Sequence, residues 1–127
     1  IAHYGLVDRV ELRQGNLLDS IDDESLDFVV SNPPYVSETE YGDLDRSVKN
    51  FEPKVALVSG ETGMELIQQL AIQATEKLKP SGWFLCELSP MIADQSLEFL
   101  KGLGSWRNES LVKDLAGNKR ILVAQKA

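Results

Sequence analysis

Two consecutive prolines, Pro33 and Pro34, stand directly after the apolar run Leu26-Asp27-Phe28-Val29-Val30-Ser31. Proline fixes φ and carries no N–H, so neither residue can continue a paired strand. A strand over the apolar run must therefore end at Asn32, with stiff backbone at its carboxyl end. Asn32 precedes a proline and is held extended. Its side chain offers a carbonyl acceptor and two N–H donors. The Pro33 carbonyl has no helix or sheet partner waiting for it. Together these two oxygens can accept both hydrogens of one NH₂ group and orient its nitrogen lone pair. Tyr35 can stack on the planar group that carries that nitrogen. A bare Asn-Pro pair reads as a rigid turn with a capping Asn, but Asn32-Pro33-Pro34-Tyr35 at a strand end favours the chemical reading.

The rest of the chain alternates strand and helix, the order of an α/β layered domain. Arg9 to Arg13 alternates and is expected to be a strand. Leu26 to Val30 is more continuously apolar and is expected in the sheet interior. A long polar segment runs from Asn32 to about Asn50, and a connection of that length is usually functional. Thr62-Gly63-Met64-Glu65 opens a helix with a capping-box pattern. Its apolar face is Ile67, Leu70, Ala71, Ala74 and Leu78, and Pro80-Ser81-Gly82 ends it. Trp83 to Leu88 reads as a buried parallel strand. Ser89-Pro90 caps a second helix whose face is Ile92, Ala93, Leu97 and Leu100, stopped by Gly102 and Gly104. Strands near Trp106–Leu115 and Lys119–Gln125, joined by Ala116-Gly117-Asn118, form an antiparallel hairpin. Sites in open parallel sheets lie outside the carboxyl ends of the strands. That selects Gly15–Asp19, Ser31–Tyr35 and Glu87–Pro90.

Composition narrows the partners. The 127 residues suit one domain, and 43% are hydrophobic, enough for a core. With 13 basic and 20 acidic residues the formal charge is −7. The basic residues are scattered, which disfavours nucleic acid as the main partner. No apolar run is long enough to span a membrane. The first residues lack the pattern of a signal peptide, and the absence of an initiator Met suits a chain that begins inside a longer protein. The single cysteine, Cys86, cannot form an internal disulfide and fits a reducing cytoplasm. It reads as a small buried hydrophobe. No metal site is expected.

Val30-Ser31-Asn32-Pro33-Pro34-Tyr35-Val36 resembles motif IV of class I methyltransferases that act on amino or amide nitrogens. Phe51-Glu52-Pro53, Ala56-Leu57, Gly60 and Gly63 narrow the resemblance to the HemK/PrmC family, which methylates a glutamine side-chain amide in peptide-chain release factors. It continues through Leu78, Gly82 and Glu87 to Asp114-Leu115-Ala116-Gly117-Asn118-Lys119-Arg120, and so covers nearly the whole chain. The resemblance implies a Rossmann-like sheet and S-adenosyl-L-methionine as methyl donor. It implies Asn32 and Pro33 as catalytic residues, with Pro34, Tyr35, Glu52 and Pro53 binding substrate. Asn16, Leu17 and Asn32 would contact the cofactor. The family usually has Gly-Asp where this chain has Gly15-Asn16. Asn16 keeps an acceptor for the adenine amino group but lacks the charge. After Glu87 the family commonly has an apolar residue, Gly and later Gln, and here Ser89 and Ile92 take the last two places. Glu87 is open between a site carboxylate and a hydrogen-bonded strand-end residue.

Class I enzymes also use a glycine-rich loop after the first strand and an acidic residue after the second. Ile1 to Asp8 resembles the helix that follows the second strand, so neither element is expected in this chain. Residues 1–127 are therefore expected to be the C-terminal portion of one catalytic domain, lacking the first two strands of the order 3-2-1-4-5-7-6. Alone they are expected to be inactive, with the Arg9–Arg13 strand irregular or paired with a second copy in a homodimer. Two other readings stand beside this one. One is an amino-methyltransferase of DNA adenine or RNA, which shares the Asn-Pro-Pro-Tyr device. The other is a non-catalytic fragment or binding module that retains the fold.

Overall fold

A four-stranded sheet with two helices carries most of the described residues, 8–33 and 64–127, of the computed structural model. The readings of Pro34, Tyr35, Glu52, Pro53 and the Thr62 cap lie outside these residues. In chain order the elements are β1 (Leu26–Ser31), α1 (Glu65–Lys77), β2 (Leu78–Glu87), a 3₁₀ turn (Pro90–Ile92), α2 (Ala93–Leu103), β3 (Trp106–Lys113) and β4 (Lys119–Lys126). The strand order is β1-β2-β4-β3. β1 and β2 are parallel, and β4 runs antiparallel to both β2 and β3. This order is what the resemblance implies for strands 4-5-7-6, and the C-terminal hairpin is present as expected.

The helices lie where the apolar spacing puts them. Ile67, Leu70, Ala71 and Ala74 form the buried stripe of α1. The last α1 carbonyls, left open at any helix end, accept from Glu24 N–H onto Glu76 and from Ser25 N–H onto Lys77, both at 2.9 Å. The Ser89 hydroxyl accepts from Met91 N–H at 3.2 Å, with Pro90 at the tolerated first position. α2 buries Ala93, Ser96 and Leu100, and the Ser96 hydroxyl donates to Ile92 O at 2.7 Å. It ends at Gly104, whose φ of +70° suits a residue without Cβ.

Both helices share a core with one face of the sheet. Phe84 and Cys86 of β2, Leu122 and Ala124 of β4, and Val29 of β1 are buried there. Trp106 stacks near Phe84 at 5.6 Å between ring centroids. The opposite face is open among the described residues. Phe28 is 63% exposed and Val30 75%, and Leu85, Ile121 and Val123 are half-buried.

Four expectations need correction. Arg9 to Arg13 is not a strand: Leu12 is 83% exposed and no ladder partner is present among the described residues. Alternation alone cannot make a strand without a neighbour to bond. Leu26–Val30, expected in the sheet interior, lies at the edge of the described sheet. Pro80-Ser81-Gly82 does not end α1. The helix stops at Lys77, and Leu78, read as part of its apolar face, starts β2. The Pro80 break appears instead as a register shift: a step of two positions in β1 (Leu26 to Phe28) faces a step of five in β2 (Leu78 to Trp83). Ser81 adopts φ +71° there, and its backbone and side chain are held by Gln125 and Arg107.

Gly82 closes this bulge against β1. A Cβ at that position would lie 3.0 Å from both Asp27 O and Lys79 O. Backbone atoms inside a paired sheet cannot retreat cheaply. Gly82→Ala is expected to lower stability by about 1–3 kcal/mol in urea unfolding, and an unchanged midpoint would show that the contact relaxes freely.

The β3–β4 turn is organised by Asp114. Its carboxylate accepts from Asn118 N–H and Ala116 N–H at 2.9 Å and from Arg120 Nε at 3.2 Å. Gly117 supplies the φ of +86° that the turn requires. These donors, Asn118 N–H foremost, hold the Asp114 carboxyl below its ordinary 3.8. A depressed carboxyl contributes stability that is present above the ordinary value and lost as pH falls through the folded one. Thermal unfolding from about pH 5 down to pH 2 should show that acid-limb loss, reduced in Asp114→Asn. Identical acid limbs would contradict the clip.

Candidate functional site

β1 and β2 end side by side, since Val30 pairs with Leu85 and Ser31 with Cys86. β4 joins from the other side, pairing Ile121 with Glu87. Paired residues share a face of a sheet, and successive residues alternate. Val30, Leu85, Glu87 and Ile121 therefore stand on the open face, opposite the helices. A cavity of about 230 Å³ lies there, and Ser31, Asn32 and Cys86 complete its lining. It sits outside the carboxyl ends of parallel strands, where such sheets place ligands.

Its walls are mostly apolar, with few polar groups. Asn32 follows the last residue of β1, is exposed, and has no hydrogen-bond partner among the described residues. Glu87 is half-buried, and its carboxylate likewise has no hydrogen bond or ion pair among them. Apolar walls with a few convergent polar groups are the ordinary make-up of a ligand site. The volume suits a side chain better than a large cofactor.

Cys86 borders the cavity, but β-alternation turns its side chain to the helices, where it is fully buried. Burial, with the nearby Glu87 charge, pushes the thiol up to about 12. It is a protonated, non-nucleophilic packing residue, as its apolar surroundings in sequence implied.

Curated relatives match over nearly the whole chain. A release factor glutamine methyltransferase of Rhodopirellula baltica is 44% identical over 128 residues, covering 100% of this chain and 43% of the relative. One of Koribacter versatilis is 44% identical over 119 residues, covering 93% of this chain and 41% of the relative. Over that shared stretch the chain is similar to release factor glutamine methyltransferases, in line with its resemblance to the HemK/PrmC family. It spans about two-fifths of the length of these relatives. No protein-family model matches it. A solved chain of the E. cuniculi Mtq2–Trm112 complex, responsible for methylation of the eRF1 translation termination factor, matches with a TM-score of 0.57 at 23% identity, over 91% of this chain and 60% of that one. A possible exported protein from Bordetella parapertussis matches with a TM-score of 0.60 at 12% identity, over 98% of this chain and 47% of that one. At these identities the structural matches speak for the fold alone, a class I methyltransferase-like sheet.

The site residues read from sequence divide into three groups. Asn32 borders the cavity. Pro33 is buried next to it but does not line it. Asn16 and Leu17 lie on a separate turn, closed by Asp19 N–H to Asn16 O at 3.1 Å. That turn is tied to α1, with Leu18 N–H donating to Gln73 Oε1 at 2.8 Å and Gln73 donating in return to Asp19. Neither Asn16 nor Leu17 lines the cavity. Pro34, Tyr35, Glu52 and Pro53 fall outside the described residues. The sequence reading missed Val30, Leu85 and Ile121 as walls and left Glu87 undecided. Alternation along β2 was the available signal, but it needed the register with β1 and β4.

The Cys86 thiol is expected to resist a thiol-specific disulfide reagent at about pH 8 until the protein unfolds. Rapid labelling of native protein would contradict its burial.

Proposed function

We propose that the protein containing this chain is an S-adenosyl-L-methionine-dependent N-methyltransferase that modifies the side-chain amide of a glutamine in a peptide-chain release factor. The observation that carries this reading is Asn32, without a hydrogen-bond partner among the described residues, at the mouth of an apolar cavity where β1 and β2 end. Relatives with that activity in their names, 44% identical over this same stretch, support it. A cytoplasmic location belongs to the same reading.

An amide nitrogen is a poor nucleophile because its lone pair is delocalised into the carbonyl. Acceptors on its hydrogens concentrate electron density on nitrogen and fix its line of approach. The Asn32 side-chain oxygen and the Pro33 carbonyl are assigned that task, with Tyr35 stacking on the amide plane and Pro34, Glu52 and Pro53 completing the substrate side. Val30, Leu85 and Ile121 receive the aliphatic part of the glutamine. Orientation of this kind contributes on the order of 7–11 kcal/mol at best. No base is needed before attack, because the methylated amide cation is strongly acidic and loses its proton afterwards.

S-adenosyl-L-methionine supplies the methyl group when bound. The described residues fit the substrate side of the reaction and do not cradle the whole cofactor: Asn16 and Leu17 sit away from the cavity, and neither a glycine-rich loop nor an acidic ribose partner is found among them. Asn16 and Leu17 are assigned the adenine end, with Asn32 at the methyl end.

In the full-length protein, Asn32→Ala is expected to lower kcat on a release factor by at least ~100-fold, with S-adenosyl-L-methionine affinity changed about twofold or less. Radiolabelled methyl transfer and calorimetric titration measure the two quantities. Normal turnover in this variant would remove Asn32 from the mechanism.

A further inference from the structure

We infer that Gln73 of α1 is a positioning residue: it fixes the turn Gly15–Asp19 where Asn16 and Leu17 receive the adenine end of S-adenosyl-L-methionine. The inference rests on the proposed function, which assigns that turn to the cofactor.

The turn has little of its own to place it. Residues 8–14 before it form no helix or strand, and β1 begins only at Leu26. Leu17 stands at φ +53°, a left-handed conformation that a residue with Cβ resists and keeps only where its surroundings hold it. Asp19 N–H donates to Asn16 O at 3.1 Å and Ile21 N–H to Leu18 O at 3.0 Å. Arg13 Nη1 donates to Ser20 O at 2.8 Å. These local bonds shape the turn. They do not set where it stands against the sheet.

Gln73 does. Its Oε1 accepts from Leu18 N–H at 2.8 Å, the peptide directly after the left-handed Leu17, and its Nε2 donates to the Asp19 carboxylate. Among the described residues, these are the hydrogen bonds that tie the turn to another element. One planar amide serves a donor and an acceptor on adjacent residues. The reverse orientation would set its NH₂ against Leu18 N–H and its oxygen against a carboxylate, so both ends of the amide are specified. α1 is itself fixed in the core through Ile67, Leu70, Ala71 and Ala74. The Gln73 side chain thus carries the position of the core out to the turn, as supporting hydrogen bonds do for a binding group.

The chain between the turn and β1 is fastened separately. Lys77 Nζ lies 2.9 Å from Asp23 Oδ1, and Glu24 and Ser25 N–H donate to the Glu76 and Lys77 carbonyls. Loss of the Gln73 contacts therefore releases the turn while β1, with Asn32 after it, keeps its place. Cofactor affinity and methyl transfer become separable: Gln73 governs the first and leaves the second to Asn32.

The test uses the full-length protein, with calorimetric titration of S-adenosyl-L-methionine and with kcat and KM for methyl transfer to a release factor. Gln73→Ala is expected to raise the cofactor dissociation constant about tenfold or more. Both kcat at saturating cofactor and KM for the release factor should change about twofold or less. Gln73→Glu keeps the acceptor for Leu18 N–H but sets a second carboxylate against Asp19, and should weaken cofactor binding by about as much or more. Gln73→Glu combined with Asp19→Asn restores one donor and one acceptor with their roles exchanged, and affinity should return to within about threefold of wild type. Unchanged affinity in Gln73→Ala, or a Gln73→Glu defect that Asp19→Asn does not relieve, overturns the inference and leaves the proposed function intact. So does a fall in kcat that matches the loss of affinity, because the damage would then reach beyond the turn. A wild-type protein that does not bind S-adenosyl-L-methionine overturns both.

Discussion

The parallel pairing of β1 with β2 governs the geometry of the site. With Val30 opposite Leu85 and Ser31 opposite Cys86, the two strands run out together. Asn32 and Glu87 then meet at one rim although 54 positions separate them in the chain. The prolines after Asn32 keep β1 from running past that rim. Side chains alternate with a period of two, so a slip of one residue would exchange the faces of Cys86 and Glu87. It would drive a carboxylate into the core beneath α1 and α2 and carry the thiol to the cavity. The burial cost of an unpaired charge makes that register untenable.

One-sided packing is the second organising feature. The helices cover one face of the sheet and concentrate the fully buried residues there. The other face stays apolar but open along Phe28, Val30 and Leu85 among the described residues. Neighbouring residues of one strand consequently live in opposite media. The thiol of Cys86 is suppressed by burial, while Glu87, next in the chain, faces a cavity with its carboxylate unengaged among the described residues.

The C-terminal hairpin supplies the third wall through Ile121. β4 lies between β2 and β3, so the last strand of the chain is central in the described sheet. Its placement depends on the Asp114 clip and on the cross-ties of Gln125 and Arg107 to Ser81. Lys119 Nζ lies 2.6 Å from Asp94 Oδ1 and links the hairpin to α2. The stretch Asp114 to Arg120, singled out by its family resemblance, serves here to shape a turn and to set the register of a wall.

Much of this protein is written in local patterns. The helical stripe Ile67, Leu70, Ala71, Ala74, the Gly104 stop, the Gly117 turn and the strand before Asn32 follow from spacing, turn chemistry and proline geometry, which act between neighbours in the chain. The hairpin and the α/β class follow from the same signals, and the Asn-Pro-Pro-Tyr signature led to the resemblance that the relatives share. Partner-dependent features were out of reach. Arg9–Arg13 has the alternation of a strand and is none, because a strand exists only with a neighbour to bond. Leu26–Val30 has the composition of an interior strand and lies at an edge of the described sheet. Pro80–Gly82 looked like an end and is a bulge, because β1, β3 and β4 hold it. Which face Glu87 takes, and that Val30 and Ile121 stand beside it, depended on the pairing of strands distant in sequence, and that register is set by packing against the helices rather than by any residue's own preference.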